Sequence, residues 1–260
     1  MRTKRRVGRW AGIAAAALAV FAFVPPLLGR DVLVVASPLE GSVACVVGRP
    51  TNFYVRYTDY GNRTWIRLSR PVEAVALDSP DLKVTEVKHS VPPQWGLMRE
   101  NALLLVEVVA LRPGLLAAGS MTLTTRAGSR QVPVQLVFDA VEASPQTLTY
   151  DMSMNAGTDW LTSRGFLRKS LAIRRPHPLA VEVDLSSLPA YVEVVEAEQQ
   201  VSDMQETQLV QFEMRLRGRP PAGGRGQFVW RPWVTVRSED GVTERVPGEG
   251  HTFRWEWVPP

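Results

Sequence analysis

The sequence ENALLLVEVVALRP occupies residues 100–113, and a related sequence, ETQLVQFEMRLRGR, occupies residues 206–219. Each is rich in residues that favour strands, and each leads into a loop containing Pro and Gly and then a terminal hairpin. Upstream lies a second pair, VALDSPDLKVTEV at residues 75–87 and VDLSSLPAYVEVV at residues 183–195. The two offsets agree closely, at 206 − 100 = 106 and 183 − 75 = 108. The sequence therefore predicts an internal repeat, with chance similarity between β-rich segments as the alternative.

Short strand-like runs bounded by turn residues fill the chain on both sides of these repeats. In the first half they lie at residues 31–36, 42–47, 52–58, 64–68, 72–77, 82–87, 102–111, 121–125 and 131–138. In the second half they lie at residues 147–154, 166–173, 179–185, 191–197, 208–216, 227–237 and 252–258. After residue 30 no long run shows the period of a helix. The pattern predicts an all-β protein.

The offset between the repeats has the size of one immunoglobulin-like sandwich, which takes about 100 residues and about seven short strands. We therefore predict two tandem immunoglobulin-like β-sandwiches, over residues 31–141 and 142–260, after an N-terminal hydrophobic helix. The boundary is expected near residues 140–146, where Glu142, Ser144 and Pro145 interrupt the apolar pattern.

Two motifs in the first predicted sandwich resemble bacterial surface modules of immunoglobulin-like type. They are DYGNRTW at residues 59–65 and RPGLLAAGSMTLTT at residues 112–125. In such modules a strand ends in a turn like Asn-x-Gly-Asn, and a later Pro-Gly precedes the last hairpin. Asp59 stands where these modules often carry Asn, and neither half has the Cys–Trp–Cys pattern of antibody domains. The resemblance implies a non-catalytic scaffold or binding module.

The first thirty residues have the pattern of an export signal. Residues 1–10 carry five basic residues and no acid, and residues 11–28 carry no charge. The apolar run is short for a membrane-spanning helix, which needs about 17–25 residues, and long for a cleaved signal. Residues 1–30 are therefore predicted to be a signal peptide or a signal anchor. The body would then lie outside the cytoplasm at the cell membrane, or be secreted.

Charge and cysteine content exclude two classes of protein. The net charge is +4, but five of the 30 basic residues lie in the first ten positions, which leaves 25 basic against 26 acidic residues. The body therefore lacks the basic excess that nucleic-acid binding requires. The single cysteine, Cys45, rules out an intramolecular disulfide framework and is expected to be a small buried hydrophobic residue.

No catalytic, cofactor or metal site is predicted. His89, His177 and His251 are far apart, lack partners at metal-ligand spacing and lie beside Pro or Gly, so we expect exposed loop residues. No Gly-x-Ser-x-Gly nucleophile motif occurs.

Aromatic residues concentrate near the C-terminus, at Trp230 and Trp233 and again at residues 253, 255 and 257. Because side chains alternate along a strand, we expect Phe253, Trp255 and Trp257 to face the core, and residues 252, 254 and 256 to face solvent. Trp233 is predicted to be exposed. The candidate ligand contacts are Trp230, Trp233, Arg219 and Arg225, the two arginines belonging to a loop rich in Arg, Pro and Gly.

The sequence thus favours an exported, membrane-anchored, non-catalytic module of the cell envelope. Its role would be structural or in protein–protein interaction, with a protein partner in the envelope. A carbohydrate-binding module is the first alternative, and it requires exposed coplanar tryptophans on one sheet face. An envelope enzyme is the second, and it requires a cleft with converging titratable groups.

Overall fold

A computed structural model describes twelve parts of the chain. They are residues 33–35, 39–59, 72–91, 102–125, 128–143, 151–154, 159–174, 178–202, 207–218, 220, 224–238 and 241–258. The predicted N-terminal helix, over residues 1–30, and the predicted strand over residues 64–68 lie outside these ranges. No helix within them is both long and apolar enough to cross a membrane.

Eighteen β-strands and one 3-10 turn form the regular structure of the described residues, which confirms the all-β prediction. The strands of the first half are β1 Leu33–Val35, β2 Leu39–Val46, β3 Pro50–Asp59, β4 Ala74–Leu77, β5 Leu82–Val91, β6 Ala102–Ala110, β7 Gly114–Thr125 and β8 Gly128–Val141. Those of the second half are β9 Asp151–Met154, β10 Trp160–Thr162, β11 Leu167–Arg174, β12 Pro178–Val183, β13 Val192–Ser202, β14 Thr207–Leu216, β15 Arg225–Arg231, β16 Trp233–Ser238, β17 Thr243–Pro247 and β18 His251–Glu256.

Two strands of the second half were not predicted, β10 and β17. Strand β10 has three residues, and β17 has the sequence TERVP, so neither shows a clear apolar alternation. The predicted strand over residues 227–237 is divided at Pro232 into β15 and β16. Proline lacks the N–H group that would continue the ladder.

The first sandwich, formed by β1–β8, has the strand order of an immunoglobulin sandwich. One sheet runs β1-β3-β6-β5 with every neighbour antiparallel, which corresponds to strands A, B, E and D. The facing strands run β2-β8-β7-β4, with β2 parallel to β8. Between them lies the first core, whose fully buried side chains include Phe53, Leu104 and Phe138.

The second sandwich, formed by β9–β18, repeats this order. One sheet runs β9-β11-β14-β13. On the opposite side, β15 and β16 together take the place of strand F, and β17 and β18 together take that of strand G. Strand β12 pairs with β16, and β10 pairs in parallel with β18. The second core between them is aromatic, with Phe228, Trp230, Phe253 and Trp255 at 0–1% exposure.

The predicted repeat has a structural counterpart. Strands β5 and β13 each contain a bulge at the third residue, between Val84 and Glu86 and between Val194 and Glu196. Opposite each bulge, Val84 pairs with Val108 and Val194 with Met214. The offset across β6 and β14 is therefore 214 − 108 = 106, as predicted. Across β5 and β13 it is 194 − 84 = 110, because the second repeat has a longer connection that contains the 3-10 turn Leu185–Ser187.

The two sandwiches share one seven-stranded sheet, in the order β10-β18-β15-β2-β8-β7-β4. Strand β2 lies between β8 and β15 and runs parallel to both. Side chains of β15 alternate between the cores: Val229 belongs to the first, and Phe228 and Trp230 belong to the second. The two cores therefore lie on opposite faces of the shared sheet.

Candidate functional site

The side of β3 that points away from the first core meets the second sandwich. We call this region the junction. Its residues are Asn52, Tyr54, Arg56, Asp159, Lys169, Gln227, Arg231, Glu249, His251, Thr252 and Arg254.

Buried polar side chains of the second sandwich cap the backbone of β3. Strand β1 pairs only with residues 57–59, so the preceding part of that edge needs other partners. The Gln227 amide, wholly buried, accepts from the Arg56 N–H at 3.1 Å and donates to the Arg56 carbonyl at 2.9 Å. The Thr252 hydroxyl donates to the Tyr54 carbonyl at 2.6 Å. These bonds explain why two polar residues of β15 and β18 are buried.

An ionic cluster surrounds Asp159, the residue that immediately precedes β10. Lys169 Nζ donates to Asp159 Oδ1 at 2.7 Å, and Arg56 Nη2 lies 3.2 Å from Oδ2. His251 Nε2 lies 2.5 Å from Oδ1. The Lys169 side chain has 0% exposure, because β11 directs it inward between Leu167 and Leu171.

The carboxyl group of Asp159 is held in its ionised form. Burial acts to raise its pKa, but the hydrogen bonds and positive charges of His251 and Lys169 outweigh burial and lower it to about 2. Since Asp159 and Lys169 belong to the second sandwich and Arg56 to the first, the carboxylate joins the two across the junction.

Three arginines of the junction have unsatisfied nitrogen atoms. In the described part of the chain, four buried side-chain nitrogen or oxygen atoms lack a hydrogen-bond partner, and three are the Nε atoms of Arg56, Arg231 and Arg254. Arg254 lies 4.6 Å from the ring centre of Trp160. Burial, and then the nearby charge of Arg56, lower the pKa of Arg254. The junction thus carries more positive charge than Asp159 alone balances.

A cavity of about 300 Å³ lies at the Arg231 end of the junction. Its wall consists of Asn52, Tyr54, Met152, Arg231, Pro247, Gly248, Glu249 and Gly250. Burial lowers the pKa of the Arg231 guanidinium, while the negative charge of Glu249 acts in the opposite direction. The Glu249 carboxylate accepts a hydrogen bond from the Met154 N–H. A Cβ atom at Gly250 would stand 3.0 Å from the Asn52 carbonyl oxygen, so a side chain there would narrow the cavity.

A second contact between the sandwiches lies on the opposite face of the shared sheet. Trp233 Nε1 donates to Asp139 Oδ2 at 2.6 Å, and the Arg245 guanidinium lies 4.6 Å from the Trp233 ring centre. The Tyr191 hydroxyl donates to the Glu40 carboxylate. Contacts on both faces therefore fix the second sandwich against the first.

The predicted ligand contacts do not come together at one surface of the described chain. Trp230 has 0% exposure and its indole N–H donates to Ser187 Oγ at 2.9 Å. Trp233 has 3% exposure, so the prediction that it is exposed is wrong: Asp139 and Arg245 cover it. Arg225 is exposed at the start of β15, and Arg219 lies outside the described residues. Ligand contact by these four residues stays a prediction.

Other predictions on side-chain position have mixed outcomes. Trp255 is buried, as expected, and Trp257 packs at the margin of the second core. On the face expected to meet solvent, Thr252 has 3% exposure because β3 covers it, whereas residues 254 and 256 are half-buried. Cys45 is buried, and burial raises its pKa to about 11.

The histidine predictions were wrong at two positions, and His177 lies outside the described residues. His89 lies within β5, where its ring contacts the Tyr57 hydroxyl at 3.4 Å and the Val72 carbonyl at 3.0 Å. His251 begins β18 and contacts Asp159. In the described ranges, no three His, Cys, Asp or Glu side chains converge to form a metal site.

The sequence contained one signal that could have indicated the junction. In LRKSLAI, at residues 167–173, Lys169 occupies a position that the alternation assigns to the core. A lysine there needs a buried anionic partner. That partner, Asp159, lies in a different segment, and no periodic pattern connects the two.

Comparisons with known proteins give no family. No protein-family model and no curated protein matches the chain. A chimeric titin tandem with an exogenous fibronectin peptide is 12% identical over 88% of this chain and 98% of its own, with a TM-score of 0.19. The N-terminal eight Ig domains of Down Syndrome Cell Adhesion Molecule are 10% identical over 89% of this chain and 24% of theirs, with a TM-score of 0.24. A second titin structure is 10% identical over 85% and 96%, with a TM-score of 0.18. TM-scores this low establish no common fold, so the fold rests on the strand order described above.

Proposed function

We propose that this protein is an exported, membrane-anchored, non-catalytic module of the cell envelope. Its two immunoglobulin-like domains, residues 31–141 and 142–260, act as one rigid body that holds interaction surfaces for a protein partner in a fixed relation. The leader pattern of residues 1–30 supports export and anchoring. The strand order supports a scaffold or interaction role.

The observation that carries the proposal is the position of β2 between β8 and β15. Tandem domains joined only by a linker move relative to each other. Here a ladder of backbone pairs from Leu39 to Val43 joins the sandwiches, and buried bonds from Gln227 and Thr252 add to it. Two sandwiches joined in this way suit a structural role better than two sandwiches that move about a flexible linker.

The carbohydrate-binding alternative depends on exposed aromatic rings. Trp230, Trp233 and Trp255 are buried, whereas Trp160 is 37% exposed and carries Arg254 against its ring. We therefore place the structural and protein-interaction role first.

Rigidity is tested by pulsed electron–electron double resonance, which measures the distance between spin labels at exposed positions of the two sandwiches. Gln135→Cys and Ser153→Cys supply one site in each. The native Cys45 is buried and does not compete for the label. We expect one narrow distance distribution. A broad distribution would remove the proposed rigid role.

Export is tested separately, by fusing a reporter that is active only outside the cytoplasm to the C-terminus. The full chain should give reporter activity in the membrane fraction, and the form without residues 1–30 should give none. Activity that survives the deletion would contradict the proposed leader.

A further inference from the structure

We propose that the cavity at the Arg231 end of the junction binds a free α-amino acid. The ligand carboxylate would pair with Arg231 and its ammonium group with Glu249. This site goes beyond the proposed structural role. It does not depend on that role, because residues of this chain alone line the cavity and no partner protein is needed to form it.

Arg231 is the anchor for the carboxylate. It lies at the end of β15, half-buried, and its Nε has no hydrogen-bond partner. A buried guanidinium is costly unless its donors are satisfied, and its planar fork matches a carboxylate. Because Arg231 lines the cavity, a carboxylate held there would supply an acceptor for its guanidinium.

Glu249 supplies the opposite charge. It lines the same cavity, yet no ion pair within 4.0 Å joins it to Arg231, although the two charges attract across the space. One hydrogen bond from the Met154 N–H leaves the carboxylate with further accepting capacity. Two opposite charges held apart in one cavity are complementary to a ligand that carries both.

The charge pair excludes simpler ligands. A plain anion would meet repulsion from Glu249, and a plain cation would meet repulsion from Arg231. A peptide carries its two terminal charges on separate residues, so one small cavity does not receive both. In a free α-amino acid both charged groups are bonded to the same carbon atom.

The size of the cavity fits this class. Its volume of about 300 Å³ is at the lower end of ligand pockets. Asn52 and Tyr54 add polar side chains to the wall, and Met152 and Pro247 add apolar surface. At Gly248 and Gly250 a Cβ atom would stand 3.0–3.2 Å from a backbone carbonyl oxygen, so glycine allows the wall to pack this closely.

Binding is measured by isothermal titration of the full chain in detergent, with each of the twenty standard amino acids as probes. Acetate, ethylamine and a dipeptide of the best-bound amino acid are the comparison ligands. We expect saturable binding of at least one amino acid. Each of the three comparison ligands should bind at least about tenfold more weakly than that amino acid. No saturable binding of any amino acid, or equal binding of acetate or of the dipeptide, would overturn the proposal.

Variants separate the two charges. Arg231→Gln should abolish binding. Glu249→Gln keeps an oxygen for the Met154 N–H, and should weaken amino-acid binding about tenfold without weakening acetate binding. Arg245→Gln is the matched control, because Arg245 lies on the other face of the shared sheet, and should leave binding unchanged. If Arg231→Gln does not fold, the test rests on Glu249→Gln alone. An equal loss of amino-acid binding and of acetate binding in that variant would contradict the assigned roles.

Discussion

Gly41 of β2 lies so close to Val229 of β15 that a Cβ atom on the glycine would stand 2.0 Å from the Val229 carbonyl oxygen. The two residues are Cα partners in the parallel ladder that joins the sandwiches. The φ angle of Gly41 is +155°, a value that residues with a side chain rarely adopt. The shared sheet therefore depends on a glycine at this position.

Replacing Gly41 with alanine should force β2 and β15 apart, because the atom that the methyl group meets is backbone and cannot rotate away. Gly48→Ala is the matched control: its φ is +75°, but nothing lies within 4 Å of the added Cβ. We expect Gly41→Ala to lower the free energy of unfolding by about 1–3 kcal/mol more than the control does. Urea unfolding of both variants measures the difference, and equal losses would show that the ladder does not need the glycine.

The lowered pKa of Asp159 predicts that the protein loses stability in acid. Its pKa is lowered from 3.8 to about 2 in the folded protein, so its contribution is complete above pH 3.8 and is lost as the pH falls towards 2. A lowering of this size corresponds to about 2 kcal/mol. Urea unfolding between about pH 5 and pH 2 should show this loss in the wild type and not in Asp159→Asn. Parallel pH curves for the two proteins would contradict the cluster.

Trp233→Phe should destabilise the protein through the loss of one hydrogen bond. The indole N–H donates to the Asp139 carboxylate at 2.6 Å, in a partly buried setting. We expect a cost of about 1.5–3 kcal/mol in thermal or urea unfolding. Trp160→Phe is the same change at a site that is 37% exposed, and should cost about 0.5 kcal/mol or less. A similar cost at both sites would refute the contact.

The shared strand predicts a single unfolding transition. Val229 and Trp230 are consecutive in β15 but belong to different cores. Because both cores use β15, the loss of this strand when one core unfolds also disrupts the other core. Thiol labelling during urea unfolding reports each core, with Cys45 for the first, and Cys45→Ala combined with Val236→Cys for the second. The two midpoints should coincide. Well-separated midpoints would support independent domains instead.

The sequence was sufficient for features that depend on local pattern. Alternation along residues 252–257 correctly assigned Trp255 to the core, and the offset of 106 residues correctly related β6 to β14. The absence of helix period gave the all-β class.

What the sequence missed depends on contacts between distant segments. Alternation predicts that a face of polar residues meets solvent, but the Thr252 hydroxyl on that face donates a hydrogen bond to the Tyr54 carbonyl. The exposure predicted for Trp233 is also wrong, because a side chain about 90 residues away covers it. Alternation tells which residues share a face and not what lies over that face.

The position of β2 also has a consequence for folding during synthesis. Strand β2 leaves the ribosome before β15, which follows roughly 180 residues later in the chain. Until then, one edge of β2 has unpaired N–H and C=O groups, and the place of Val229 in the first core is empty. A chain that still lacks β15 therefore exposes an adhesive strand edge, which makes the nascent protein dependent on protection from aggregation until β15 has been made.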